Sequence, residues 1–253
     1  MTELLKDKTA IVTGGAKGLG KAIATALDAS GARVVVADID STGAKETAGR
    51  LTHGEGAACD VRDDGQVEGL IAGVTQRHGS VDIMVANAGI ATVAPIAEMS
   101  LAEWRSVLDV NLDGVYSSVR HAGRAMAGNG GGAIITMASI TGFAGSPFIS
   151  HYAAAKAGVI SLTKTAAVEW RDHGVRVNAI CPGFIGTDLV FDRVPELEAA
   201  LGASLNDLIA QKQGRLGTVD DVAPLAVFLA SERSRFCSGS AFVVDGGMDA
   251  ALV

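Results

Sequence analysis

The chain has 253 residues, 48% of them apolar, and a net charge of -7, which gives it enough apolar surface to bury a core and excludes disorder on composition. The acidic balance, with no run of Lys and Arg, argues against a nucleic-acid partner. Cys59, Cys181 and Cys237 are widely spaced and form no C-x-x-C pair, so neither a disulfide framework nor a zinc site is expected.

In chain order, short apolar runs alternate with helical stretches: TAIVT, ARVVVAD, GAACDV, VDIMVA, GAIITMAS, VRVNAI and SAFVVDG. Runs that are apolar without alternating read as strands buried on both faces. The pattern predicts an α/β fold: a single doubly wound, Rossmann-type domain spanning 1–253, its seven-stranded, mostly parallel sheet flanked by helices on both faces. MTELLKDKTA has no signal-peptide core and no run of about 18 uncharged apolar residues follows, so a soluble cytoplasmic protein is expected.

The first run leads into TGGAKGLGKA, which admits two phosphate-binding readings. Gly15 to Lys21 spells G-x-x-x-x-G-K, but Ala22 stands where a triphosphate P-loop needs a hydroxyl for magnesium. Gly14, Gly18 and Gly20, spaced G-x-x-x-G-x-G, instead open a dinucleotide turn between a strand and a helix over 18–30. Asp38 then ends the next strand, where its carboxylate can accept hydrogen bonds from both adenosine ribose hydroxyls. A 2′-phosphate beside Asp38 meets like-charge repulsion, which favours NAD over NADP, while Lys17 in the loop pulls the other way.

A helical stretch is expected over 101–127, with Asn111 an unusual polar residue inside it. Farther on, Ser139 ends a strand, and Tyr152 and Lys156 lie four apart on one face of the following helix. An ammonium near a phenol favours the phenolate, as does a positive nicotinamide ring, so Tyr152 is a candidate acid and base for an alcohol or ketone, with Ser139 holding the substrate oxygen. His151 projects about 100° away from Tyr152 and is assigned no catalytic part. Cys181 reads as a small buried side chain.

Along nearly its whole length the sequence resembles the short-chain dehydrogenase/reductase family, from TGGAKGLG through NAG at 87–89, Asn111, Ser139, Tyr152, Lys156 and PGFIGT at 182–187. The resemblance implies that Gly14, Lys17, Gly18, Leu19 and Gly20 cradle the pyrophosphate. It implies that Asp60 and Val61 line the adenine pocket and that Asn87, Ala88 and Gly89 form the turn beneath the adenosine ribose. Pro182, Gly183, Ile185 and Thr187 would meet the nicotinamide carboxamide. Lys156 would bind the nicotinamide ribose, beside Tyr152, and Asn111 would hold a water in a proton relay through Lys156. Ala86 departs from the family's common N-N-A-G.

The segments 140–151 and 184–191 are expected to wall the substrate pocket, with Asp188 the only formal charge, which suits a neutral secondary alcohol or ketone. Residues 189–214 read as a lid beyond a strand end. No metal is called for. Relatives commonly form tetramers, and the uncharged tail AALV is a candidate subunit contact. Two other activities are compatible with the pattern: an NADPH-dependent 3-oxoacyl thioester reductase, and a non-catalytic dinucleotide sensor.

Overall fold

The computed structural model describes residues 3–250; the last three residues of the AALV tail lie outside them. The strands are β1 (Thr9–Thr13), β2 (Arg33–Asp38), β3 (Gly54–Ala58), β4 (Ile83–Ala86), β5 (Gly132–Met137), β6 (Val175–Pro182) and β7 (Ala241–Val244). They form one sheet in the order β3-β2-β1-β4-β5-β6-β7, and every neighbouring pair is parallel. The sheet is therefore wholly parallel, where the sequence pattern allowed a mostly parallel one.

The helices are α1 (Gly18–Ala29), α2 (Ser41–Ala48), α3 (Asp64–His78), α4 (Leu101–Leu108), α5 (Gly114–Gly128), α6 (Ser150–Glu169), α7 (Asp188–Phe191), α8 (Val194–Leu201), α9 (Leu205–Lys212) and α10 (Val219–Ala230). Alternate strand residues feed two cores, as the period of two requires. Ile11, Val35, Met84 and Ile134 pack with Val67 of α3, Val119 of α5 and Val159 of α6. Val12, Val34, Val36 and Ile135 pack on the other face with Ile23 and Leu27 of α1, Ala44 of α2 and Leu229 of α10. Burial on both faces is why the central strands read as unbroken apolar runs.

Of the boundaries that differ from the sequence reading, three bear on the site. The third strand is Gly54–Ala58, earlier than GAACDV, and Asp60 and Val61 lie beyond its end. It is an edge strand, half-covered and made of Gly, Glu and Ala, so it carries little of the apolar signal that marks the others. The sixth strand runs two residues past VRVNAI, pairing Cys181 with Val243 and Pro182 with Val244. Helix 101–127 is also not continuous: a π-turn over Asp109–Asp113 separates α4 from α5.

Ile134 is fully buried in the middle of β5. Ile134→Ala is expected to cost about 2–5 kcal/mol through lost transfer energy and the cavity it leaves, read as a lowered urea midpoint at unchanged slope.

Candidate active site

The chain order of the sheet reverses at β1, which lies between β2 and β4, and in open parallel sheets the crevice beyond the strand ends at such a point takes ligands. Here the two strand ends are stitched together. Asn87, after β4, donates its side-chain amide to the carbonyls of Thr13 (2.9 Å) and Gly14 (3.1 Å). The Thr13 hydroxyl accepts from the backbone N–H groups of Asn87 (3.1 Å) and Ala88 (3.3 Å). Gly14 has φ of +64°, and a Cβ there would stand 2.7 Å from the Ala88 Cα; only glycine allows that turn and that approach.

Beyond the turn, α1 begins with no side-chain cap and no acid in its first turn, so its leading N–H groups and positive dipole end are available to an anion. At the end of β2, Asp38 accepts from the backbone N–H groups of Ala16 and Asp40, both at 3.0 Å. Its carboxylate thus ties the glycine turn to β2 and borders the same cleft.

That cleft is a cavity of about 540 Å³, and every site residue singled out in the sequence borders it. The glycine loop, Asp38, Asp60 and Val61 line one part. Asn87 to Gly89 lie between them and Asn111, Ser139, Tyr152 and Lys156, and Pro182, Gly183, Ile185 and Thr187 complete the wall. Residues 140–151, expected as pocket wall, are not part of this lining; Ile90, Ala91 and Val110 are there instead, with Asp188, Asp192 and Arg193. Asp188 is therefore not the only charge. Arg193 donates through Nε to the carbonyl of Ala91 (2.9 Å) and pairs with Glu196 (3.4 Å). Lys17 is directed to Asp188 at 3.5 Å.

Arg193 lies two residues past the window read as pocket wall, and nothing local in the sequence marks it as facing inward. Thr13 was also missed; its signal is a hydroxyl immediately before the paired glycines. Arg62 grips the Asp60 carboxylate through Nε at 2.9 and 3.0 Å, and this hydrogen bonding holds Asp60 below the usual carboxylate range.

At the reacting end, Lys156 is buried and its Nζ donates to the Met137 carbonyl at 2.7 Å, standing 5.3 Å from the centre of the Tyr152 ring. Burial brings the ammonium down to about 8. Burial also pushes the Tyr152 phenol up to about 12, with the Ser139 hydroxyl pulling back only in part. Burial thus opposes the phenolate that the Lys156 ammonium and a positive nicotinamide ring together are expected to favour, and in the free protein the phenol is the favoured form. Cys181, beneath the site, is buried and pushed up to about 12 by that burial, an inert thiol as expected.

Asn111 sits in the π-turn, fully buried, and such turns re-aim side chains within helices. Its amide donates to the carbonyls of Ile90 (2.8 Å) and Val107 (2.9 Å), while its Oδ1 has no partner among the described residues. A Cβ on Gly89 would stand 2.7 Å from that oxygen and 3.8 Å from Lys156 Nζ. An orphaned buried acceptor next to an ammonium, in space kept open by glycine, fits a bound water or ligand hydroxyl. Together with the uncapped α1 and the Asp38 carboxylate, these residues fit a nicotinamide dinucleotide. Among the described residues no group of three or more His, Cys, Asp and Glu side chains is placed to hold a metal, and no helix is long and apolar enough to cross a membrane.

A dinucleotide-shaped crevice at a sheet reversal, with a phenol, a hydroxyl and an ammonium at one end, defines a Rossmann-type oxidoreductase site. Residues 14–249 match the family described as enoyl-(acyl carrier protein) reductase. The chain is 40% identical to a cis-4-hydroxycyclohexanecarboxylate dehydrogenase of Sinomonas cyclohexanicum, over 99% of this chain and 100% of that one. It is 38% identical to an NADP-dependent (R)-specific alcohol dehydrogenase of Lentilactobacillus kefiri, over 99% and 100%. A solved short-chain type dehydrogenase/reductase from Mycobacterium marinum superposes with a TM-score of 0.88 at 36% identity, covering 97% of each chain. The chain belongs to the short-chain dehydrogenase/reductase family of oxidoreductases.

The chain has two tyrosines, Tyr116 and Tyr152, so Tyr116→Phe isolates the catalytic candidate for titration by phenolate absorbance. With no nicotinamide present, ionisation is expected well above the ordinary phenol value of about 10; an inflection near neutrality would show that Lys156 outweighs burial.

Proposed function

We propose that the chain is an NAD-dependent oxidoreductase that exchanges hydride between nicotinamide and a secondary alcohol or its ketone. The observation that carries this reading is the convergence of Tyr152, Ser139, Lys156 and Asn111 at one end of a cavity whose other end holds Asp38. The nicotinamide supplies or accepts the hydride. Ser139 orients the substrate oxygen, and Tyr152 exchanges a proton with it as the carbon changes oxidation state. The neutral resting phenol is the form that donates, so ketone reduction begins from it directly, whereas alcohol oxidation first needs its proton removed. Lys156 binds the nicotinamide ribose, and with the open Oδ1 of Asn111 it provides the ends of a water-filled path for that proton.

Three observations support NAD over NADP: Asp38 ends β2, the exposed Ile39 follows it in place of a base, and Lys17 is engaged by Asp188. A 2′-phosphate there would meet the Asp38 carboxylate, while the Lys17 ammonium is directed to Asp188. The reacting end suits an uncharged carbinol, because Arg193 is already held by Ala91 and Glu196. An aliphatic or cyclic alcohol fits the apolar walls; the compound for which one relative is named has a hydroxylated cyclohexane ring, there also bearing a carboxylate. Reduction of a 3-oxoacyl thioester with NADPH is the second reading, favoured by the acyl-carrier description of the matching family.

In this reading one catalytic domain carries residues 189–214 as a lid. Its last turn is anchored where Gln213 Oε1 accepts from the Phe184 N–H and Nε2 donates to the Phe184 carbonyl, both at 2.8 Å. Exposed Leu101, Tyr116 and Val168 on α4, α5 and α6 support assembly into a tetramer. Unpaired Cys59, Cys181 and Cys237 suit a reducing cytoplasm.

A panel of secondary alcohols and ketones assayed with NAD and NADP in parallel tests the reading. Tyr152→Phe is expected to lower kcat by about 10²–10⁴-fold while NADH binding persists; undiminished turnover would remove Tyr152 from the chemistry. Asp38→Ser should raise efficiency with NADP relative to NAD, and an unchanged ratio would take cofactor choice away from Asp38.

A further inference from the structure

His151 is the second residue of α6 and has no exposed surface. The helix lacks a conventional start, for its N-cap is Ile149, which has no side-chain acceptor. Phe148, just before it, is held at φ of +66°, a conformation a bulky residue adopts only when its surroundings impose it. The entry to the helix is tied down from outside, where the Ala94 N–H donates to the Phe148 carbonyl at 2.8 Å.

The ring of His151 provides the missing cap from within. Its Nδ1 lies 2.8 Å from the backbone N of Tyr152. An N–H can only donate, so Nδ1 is the acceptor and the neutral ring carries its proton on Nε2. Nε2 lies 2.7 Å from the Thr92 hydroxyl, and that hydroxyl donates to Glu103 Oε1 at 2.9 Å. Each donor fixes the next, giving one directed chain from the Tyr152 amide through the imidazole and Thr92 to a carboxylate on α4.

We infer that His151 is a positioning residue for Tyr152: its neutral imidazole holds the Tyr152 backbone, the Thr92–Glu103 relay holds the imidazole, and protonation of the ring at Nδ1 breaks its hold on the Tyr152 amide. A proton on Nδ1 would set donor against donor at the Tyr152 amide, and the helix start that aims the phenol would lose its cap. This role rests on Tyr152 being the acid and base of the reaction. Burial lowers the His151 pKa, outweighing the Ile149 backbone, whose hydrogen bonding favours the charged ring, and the pull of Glu103. Glu103 is the charged group acting on the ring from α4, and segments 90–95 and 140–150 contain no titratable side chain. Arg105, Asp109 and Asp113 of α4 and the π-turn are solvent-exposed, and Tyr152 and Lys156 are the ionisable groups nearest to it on α6 itself. Because the folded protein takes up this proton less readily than the unfolded chain, its contribution to stability is complete above the ordinary imidazole range. The contribution falls away as pH drops below about 6.5.

Steady-state kinetics between about pH 5 and 9, with His151→Ala, His151→Asn, Thr92→Val and Tyr152→Phe beside wild type, tests this. His151→Ala should lose about tenfold in kcat with little change in KM. His151→Asn presents a carbonyl to the Tyr152 amide and cannot be protonated, so it should recover most of kcat and lack the acid limb of the wild type. Thr92→Val should lower kcat less than His151→Ala. Thermal unfolding without cofactor gives a readout independent of turnover: the gap between wild type and His151→Asn should change as pH falls through the imidazole range. Wild-type kcat in His151→Ala, an acid limb that persists in His151→Asn, or a pH-independent gap in melting temperature would each overturn the role. Should His151→Ala fail to fold, the other two variants still decide it. Undiminished turnover in Tyr152→Phe would overturn the catalytic reading instead, whereas turnover lost there with silent His151 variants would overturn the positioning role alone.

Discussion

The site depends on one knot of backbone and side-chain hydrogen bonds, the one joining Thr13 and Gly14 to Asn87 and Ala88. In a parallel sheet the connections from β1 and β4 leave in opposite senses, so the segments that follow these strands part and open a crevice. A crevice between two separately anchored loops would vary in width. Asn87 spans it with a single amide, and the Thr13 hydroxyl fastens it from below, so the glycine turn after β1 and the turn after β4 are tied to one another. Asp38 extends the same fastening to β2 through Ala16.

From that fixed edge the reacting groups are placed by three successive elements. β5 ends at Met137, whose carbonyl receives the Lys156 ammonium, and two residues later Ser139 opens a short helical turn. The helix α6 brings Tyr152 and Lys156 to the same cavity, and the π-turn brings Asn111. The low dielectric that makes these groups interact strongly also disfavours their charged forms, so tyrosine and lysine are both held toward neutrality. The free protein is thus poised with its proton on the phenol.

Much of this was legible in the amino-acid sequence because it rests on local pattern. Central strands buried on both faces announce themselves as apolar runs, the glycine turn is recognisable by the strand before it and Asp38 after it, and Tyr152 and Lys156 share a face by helical arithmetic. What was not legible depends on three-dimensional surroundings. β3 is half-covered, so its residues carry little hydrophobic signal. Arg193 borders the cavity and bonds the Ala91 carbonyl, a contact between segments far apart in the chain that no local pattern announces. The opposition between the Lys156 charge and the burial of Tyr152 is set by the packing around both, which helical spacing does not report. The angle between His151 and Tyr152 says nothing of the hydrogen bonds His151 makes, which are visible only once Thr92 and Glu103 are seen in line with it.

The π-turn sets the rotational phase between two jobs. Upstream it aims Asn111 inward; downstream it fixes the face on which α5 presents Ser117 and His121 to Asp64, at 2.7 and 2.9 Å. Removing one residue from Asp109–Asp113 would restore ordinary α-helical winding, but it would rotate one side relative to the other by about 100°. Either the asparagine would leave the cavity or α5 would turn its polar anchors away from α3. The extra residue is therefore locked in from both directions: a frame set by the packing of a distant helix holds a reacting group in aim, and neither can drift without the other.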